Sequence, residues 1–356
     1  MAREHSAGGA TRDAGVRPGL GRLSGSLRPP TPVPVTRPLL DLVARHYLRK
    51  PDLAEFLALR FPDRASLLAG ARNELAFRLG LHRAPRLTTL NVELTSRCNV
   101  ACSYCDVNRE LGRPNQDLDL AVYARLLEET PGLQTVLPFQ WGEPLLYEPL
   151  DEALELASAR GLRSYLTTNG TLLDGGRFAR LAAAGLTRLT VSLDGAPESH
   201  ADRRGYGQQA ILDRLAEARE AQARHELPTA LDVSMVVDES VAHELDAFRR
   251  RLAPLCDRVQ FIPRMEARPA DDPRTRACRE PSRGLLVVLS DGRITACCAD
   301  PAGRLALGHV DDGPLAEQYA GPRWRALRAA HRKGELPEPC RSCGECEVPG
   351  VSARFA

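Results

Sequence analysis

The sequence predicts an α/β fold. Its main part is a curved, partly open barrel of six strand–helix units, a partial (β/α)6 TIM-like barrel. A small C-terminal domain with a β-hairpin and a helix follows. Three observations carry this expectation. Apolar, strand-like runs alternate with amphipathic stretches from Thr88 to Arg264, in repeats of roughly 30–40 residues, which implies parallel strands joined by right-handed crossovers. The repeats number six, too few for the eight-stranded barrel. The rhythm then stops, and a polar, Pro-rich stretch leads to two short apolar runs around Asp291-Gly292, a hairpin turn signal.

Taken in order, residues 1–37 are rich in Gly, Arg, Pro and Ser without apolar periodicity, and are expected to form a disordered tail. Residues 38–87 are expected to form a helical segment. Leu39, Leu42, Val43, Tyr47, Leu57, Leu59 and Phe61 suggest two or three short helices packed on the main domain. The core covers 88–264. Its strands are predicted over 90–94, 135–140, 163–167, 188–193, 229–237 and 258–263. Helices are predicted over 118–130, 150–159, 178–184, 208–225 and 241–252; Leu120, Ala124 and Leu127 share one face of the first. The second domain covers 265–356, with strands over 285–289 and 294–297, a helix around 324–332, and a Cys-rich end.

Composition narrows the function classes. The chain has 356 residues, 43% of them hydrophobic, enough for one large and one smaller domain. The net charge is +2, with Arg dispersed among Asp and Glu, so no nucleic-acid partner is expected. There is no run of 18 apolar residues and no secretory h-region; neither a membrane span nor export is expected, and the protein is placed in the cytoplasm. Ten cysteines in such a chain argue for metal ligation or catalysis rather than disulfides.

The first cysteine cluster is Cys98, Cys102 and Cys105, spaced C-x3-C-x2-C directly after the first strand. Three thiolates on a tight loop can each take one iron of a cubane and leave the fourth iron open. A zinc site wants four ligands, usually as paired C-x2-C units, and this spacing serves it poorly. With Tyr104 before the last cysteine, the motif resembles the signature of the radical S-adenosylmethionine (SAM) superfamily. That resemblance implies a [4Fe–4S] cluster whose open iron binds SAM at the C-terminal mouth of a (β/α)6 partial barrel.

Further segments resemble SAM-binding motifs. Gln140-Trp141-Gly142-Glu143-Pro144 is similar to the family's Gly-Gly-Glu-Pro, with Trp141 in place of the first Gly. The resemblance implies that Gly142 and Glu143 hold the SAM ammonium group. Asn169-Gly170 closes the third strand and is also a plain turn signal. Ser192-Leu193-Asp194-Gly195 closes the fourth, which sets Ser192 and Asp194 at the mouth. In similar enzymes such a Ser reaches the SAM ribose, and an Arg placed like Arg204 pairs with the SAM carboxylate; Arg203 is the adjacent competitor. Cys256 lies before the sixth strand, away from the mouth, and is read as structural.

The C-terminal cysteines form a second group. Cys278 precedes the hairpin, Cys297 ends it, and Cys340-x2-Cys343 follows the helix. Four thiolates close a site completely, as a [4Fe–4S] cluster or a structural zinc. The order resembles the twitch, the short form of the SPASM domain, which implies one auxiliary [4Fe–4S] cluster. Cys298 can replace Cys297, since adjacent strand residues face opposite ways. Cys346 is a spare.

Membership of this family implies reductive cleavage of SAM to a 5′-deoxyadenosyl radical, hydrogen-atom abstraction from a substrate carbon, and an electron donor such as flavodoxin or ferredoxin. A single auxiliary cluster resembles the aminoglycoside dehydrogenases and epimerases. The expected substrate is therefore a small molecule such as a sugar or cyclitol, oxidised or epimerised. The alternative is a ribosomal peptide or protein side chain.

Overall fold

The computed structural model describes residues 64–78, 85–105, 111–264, 278 and 280–343. These fall within one compact unit, 32–356. The tail expected over 1–37, the helices expected before residue 64, and Cys346 lie outside the described residues.

Six parallel strands form the core: β1 (Thr89–Val92), β2 (Thr135–Leu137), β3 (Arg163–Thr168), β4 (Arg188–Ser192), β5 (Ala230–Val237) and β6 (Arg258–Pro263). Three more strands follow: β7 (Leu285–Val288), β8 (Arg293–Thr295) and β9 (Ala306–His309). All nine make one open sheet in the order 6-5-4-3-2-1-7-8-9. This is the partial barrel the repeat count implied.

The helices are α1 (Arg64–Arg78), α2 (Leu120–Glu128), α3 (Leu150–Ala159), α4 (Gly175–Ala183), α5 (Pro197–Arg204), α6 (Gln209–Arg224), α7 (Leu245–Leu252), α8 (Leu315–Ala320) and α9 (Pro322–Lys333). None is long and apolar enough to cross a membrane. Their starts follow local chemistry. Asp119 caps α2 by accepting the Ala121 N–H at 2.7 Å, and Asp174 caps α4 by accepting the Arg177 N–H at 2.6 Å. Their apolar faces recur at three- and four-residue spacing: Leu150, Ala153, Leu154 and Ala157 on α3, and Ile211, Leu215, Ala218 and Ala221 on α6. These faces pack on the strand residues Leu90, Val136, Leu166, Leu189, Val191, Leu231 and Val233. Each fully buried Leu or Val contributes about 1.5–3 kcal/mol.

Three elements depart from the sequence expectation. The strand β9 and the helices α5 and α8 were not anticipated. The sequence of α5, PESHADRR, has no apolar period, and β9 and α8 are only four and six residues long, too short to show one. The predicted Asp-Gly turn does form. Gly292 has φ +82°, and a Cβ there would run into His309 and Val310.

The C-terminal strands continue the barrel sheet. β7 pairs in parallel with β1, Thr89 opposite Leu285 and Val92 opposite Val288, while β8 and β9 add antiparallel. A buried ion pair locks this junction. Arg113 meets Glu93 at 2.6 Å, with both side chains at most 2% exposed. The same guanidinium donates to Ser290 Oγ and Pro301 O, each at 2.9 Å, and Glu93 accepts the Ser290 N–H at 2.9 Å. Replacing Arg113 with Met leaves the Glu93 carboxylate buried without its cation, and unfolding stability should drop by about 3–5 kcal/mol. Urea denaturation followed by circular dichroism measures this. A midpoint equal to the parent's would show that the junction does not depend on the pair.

Candidate active site

Because β1 to β6 run parallel, their C-terminal ends open onto one mouth, and the sequence motifs lie there. The cysteine loop leaves β1 and is held from several sides. Glu143 N–H donates to Arg97 O at 2.8 Å, and Ser103 N–H to Arg203 O at 2.7 Å. Asn99 donates to Thr171 Oγ1 at 2.8 Å and accepts from Asn169 Nδ2 at 2.9 Å. Arg97 spans Asp117 and Leu146 O. Asn169 Nδ2 also lies 4.0 Å from Cys98 Sγ.

The Gln140–Pro144 segment packs directly on this loop. A Cβ on Gly142 would collide with the carbonyl of Thr95 and sit 2.8 Å from that of Arg97. The steric demand for glycine therefore falls on Gly142, and Trp141 is accommodated beside it. Glu143 is 2% exposed. Its carboxylate accepts from Thr168 Oγ1 at 2.7 Å, from the Asn169 N–H at 2.7 Å and from the Leu145 N–H at 3.0 Å. Burial pushes its pKa up, against these hydrogen bonds. Glu143 thus ties the end of β2 to the end of β3.

A second hub is Asp194, which is fully buried. It accepts from Tyr104 Oη at 2.8 Å and from the Val236 N–H at 3.1 Å, and it pairs with Arg204 Nε at 2.9 Å. Arg203 and Arg204 also lie over the Tyr104 ring, at 4.9 and 5.8 Å from its centroid. Both arginines approach the Asp194 carboxylate, Arg203 at 3.7 Å, but their other partners differ. Arg203 is committed to the protein, donating to Asp238 at 2.8 Å and Val236 O at 2.9 Å. Arg204, 5% exposed, sits beside Cys102 and Tyr206 as well as Asp194. Burial is the largest influence and opposes its charge, but the Asp194 carboxylate together with Tyr104, Cys102 and Tyr206 raises its pKa overall. Ser192 ends β4 opposite Ser234.

The sequence reading missed α5 and with it His200. The signal was present: Pro197 at the helix start and Gly205, with φ +78°, at its end. His200 Nδ1 accepts the Asp194 N–H at 3.2 Å, and its ring meets Tyr206 edge-on at 5.0 Å. Gln208 Nε2 fixes the same corner through Asp194 O and Gly195 O.

The C-terminal cysteines are placed as follows. Cys278 N–H donates to His331 Nδ1 at 3.1 Å, and the Cys278 sulfur accepts the Glu280 N–H at 3.4 Å. The Cys297 sulfur accepts the Ala299 N–H at 3.3 Å; Cys298 and burial push its pKa up, and Glu280 adds to this. Glu280 is therefore a shared neighbour of Cys278 and Cys297. Cys340 packs on the hydrophobic core, and Cys343 N–H turns back to Cys340 O at 3.4 Å. Cys298 is exposed, and its carbonyl accepts from Gln140 Nε2 at 2.7 Å, which links this region to the end of β2. Cys256 is buried. Its thiol donates to Leu252 O at 3.3 Å, and burial pushes its pKa up to about 11, which fits a structural cysteine.

Among the described residues, no three Cys, His, Asp or Glu side chains already converge as a metal cage. The donor chemistry nevertheless fits iron–sulfur clusters. Cys98, Cys278 and Cys297 each receive an N–H from the residue two positions on, Val100, Glu280 and Ala299. Such hydrogen bonds stabilise thiolate charge.

Comparison with known proteins agrees with this arrangement. The Radical SAM superfamily matches residues 92–251, and the SPASM iron–sulfur cluster-binding domain matches 278–344. A protein of Ruegeria pomeroyi named PqqA peptide cyclase is 29% identical over 315 residues, covering 74% of this chain and 83% of its own length. Two solved structures share the fold. Streptococcus suis SuiB bound to S-adenosylmethionine aligns at TM-score 0.56 and 13% identity, covering 78% of this chain and 76% of its own. BtrN in complex with AdoMet and 2-DOIA aligns at 0.51 and 21%, covering 74% and 95%.

His200 is expected to make the mouth acid-sensitive. Burial, then the Arg204 charge, lowers its pKa from 6.5 to about 4. The unfolded chain therefore binds a proton more tightly than the folded one. The stability contributed by neutral His200 is complete above pH 6.5 and is lost as pH falls through 4. Thermal midpoints of parent and His200→Gln, measured from pH 7 to pH 4, should show a shallower decline in the variant. Parallel declines would exclude this origin.

Proposed function

We propose that this chain, a radical SAM enzyme with a C-terminal SPASM-type auxiliary-cluster domain, modifies a peptide or protein side chain. The observation that carries this reading is the extent of the match to the Ruegeria pomeroyi PqqA peptide cyclase, which runs over 74% of this chain and 83% of that protein. Gluconobacter oxydans has a protein of the same name, 29% identical over 298 residues. The likeness to BtrN, at 21% identity, is one of fold. The peptide alternative is therefore favoured over the sugar or cyclitol expected from the cluster count.

In this reading Cys98, Cys102 and Cys105 hold the SAM-binding [4Fe–4S] cluster. With SAM bound, that cluster supplies a 5′-deoxyadenosyl radical able to take a hydrogen atom from an unactivated carbon. The protein's part is positioning. Gly142 lets the backbone approach the cysteine loop, and Glu143 and Asn169 fix its flank. Arg204 offers a permanent, buried positive charge suited to the SAM carboxylate, while Asp194 and Tyr104 hold that guanidinium in place. Ser192, at the end of β4, is placed to meet the ribose. Cys278, Cys297, Cys340 and Cys343 hold the auxiliary cluster. Of the adjacent pair, Cys297 is favoured because its sulfur takes the amide hydrogen bond and Cys298 is exposed. Electrons enter from a small donor such as flavodoxin or ferredoxin.

Anaerobic reconstitution followed by iron and sulfide analysis tests the cluster assignment. The parent should carry about eight irons per chain, and the variant with Cys98, Cys102 and Cys105 all changed to Ala about four. Iron in neither protein, with both folded, would overturn it. The substrate class is tested with SAM, dithionite and either a peptide encoded beside the gene or an aminocyclitol. Substrate-dependent 5′-deoxyadenosine and a mass change in the peptide are expected. Turnover of the aminocyclitol alone would return the assignment to a small molecule.

A further inference from the structure

Helix α9 turns Arg328 and His331 toward the segment that carries Cys278. His331 Nδ1 accepts the Cys278 N–H at 3.1 Å. One turn earlier, Arg328 Nε donates to Pro281 O at 2.7 Å. Pro281 belongs to the 3-10 turn Glu280–Ser282, whose first residue gives its N–H to the Cys278 sulfur. Tyr319 Oη donates to the same Pro281 carbonyl at 3.3 Å.

Arg328 is 6% exposed. Its guanidinium lies 4.4 Å from the centroid of the Tyr319 ring and 5.4 Å from that of Trp324. Nη1 and Nη2 are buried with no hydrogen-bond partner. Among the described residues no carboxylate pairs with it, and the carboxylate of the neighbouring turn, Glu280, pairs with Arg283 instead. A guanidinium keeps its proton in proteins. A buried cation without an anion is costly, and ring faces offset only part of that cost. The fold has thus placed a buried positive charge, with no paired carboxylate among the described residues, beside the turn that follows Cys278.

We infer that Arg328 is the counter-cation of the auxiliary cluster and raises its reduction potential. The inference rests on the reading of Cys278, Cys297, Cys340 and Cys343 as the ligands. A cluster held by four thiolates is a net anion that becomes more negative on taking an electron. A fixed cation nearby stabilises the reduced form more than the oxidised one. Arg328 is a positioning and charge-setting residue that touches neither SAM nor substrate.

The test uses the full chain with Cys98, Cys102 and Cys105 changed to Ala, so that one cluster remains, reconstituted without air and titrated by EPR-monitored potentiometry. Arg328→Gln keeps a hydrogen-bond donor and loses the charge; Arg328→Lys keeps the charge and loses the fork. At a fixed solution potential the reduced fraction relative to the oxidised should fall at least about tenfold in Arg328→Gln, 59 mV for a one-electron couple. In Arg328→Lys it should stay within about twofold. A Gln variant that holds its iron at an unchanged potential overturns the inference. Should the Gln variant not fold, the Lys variant decides: a retained potential supports the inference, and a tenfold fall overturns it. If the triple-Ala parent holds no iron at all, the ligand assignment itself has failed, and the inference falls with it.

Discussion

The structure depends on β1 being paired on both sides. β2 and β7 flank it in parallel, so the strand that launches the first cysteine loop is also the anchor of the C-terminal hairpin. Backbone hydrogen bonds along a parallel pair fix register as well as proximity. The Glu93–Arg113 pair, one residue beyond β1, then fastens the hairpin turn at Ser290. The two cysteine-bearing regions are thereby set on one continuous sheet, and Gln140 adds a direct tie between them through Cys298.

At the mouth, two buried carboxylates organise everything around the first cysteine loop. Glu143 gathers the ends of β2 and β3, and Asp194 gathers the end of β4, the backbone of β5, helix α5 and Tyr104. Each spends its lone pairs mainly on the protein, which is how a buried carboxylate remains tolerable. The consequence is a rigid collar. Tyr104, Asn169, Asp194 and Arg204, the residues proposed to line the SAM site, are held by partners drawn from several strands.

Much of this was legible in the sequence because it is local. The spacing of Cys98, Cys102 and Cys105 defines a loop by itself, and the six repeats of strand and helix are apolar patterns read along the chain. The position of each strand's last residues then places Gly142, Asn169 and Asp194 at one end. What was not legible is non-local. Nothing near Arg113 announces that its partner is Glu93, and no pattern in residues 285–288 says that they pair with β1. Helix α5 escaped because its packing rests on His200, Arg203 and Arg204, polar residues that are buried only because Asp194 and Asp238 receive them. Arg203 and Arg204 are adjacent and chemically identical, and that their partners differ is seen only in the folded chain.

The placement of β7 also bears on how the protein avoids clumping. Without the C-terminal segment, β1 would end the sheet, and its apolar Leu90 and Val92, now fully buried, would lie along an unpaired parallel edge. Such an edge is a template for other chains. The cluster-bearing extension is therefore also an edge guard: a chain stopped before Leu285 would be a sticky fragment rather than a simpler barrel.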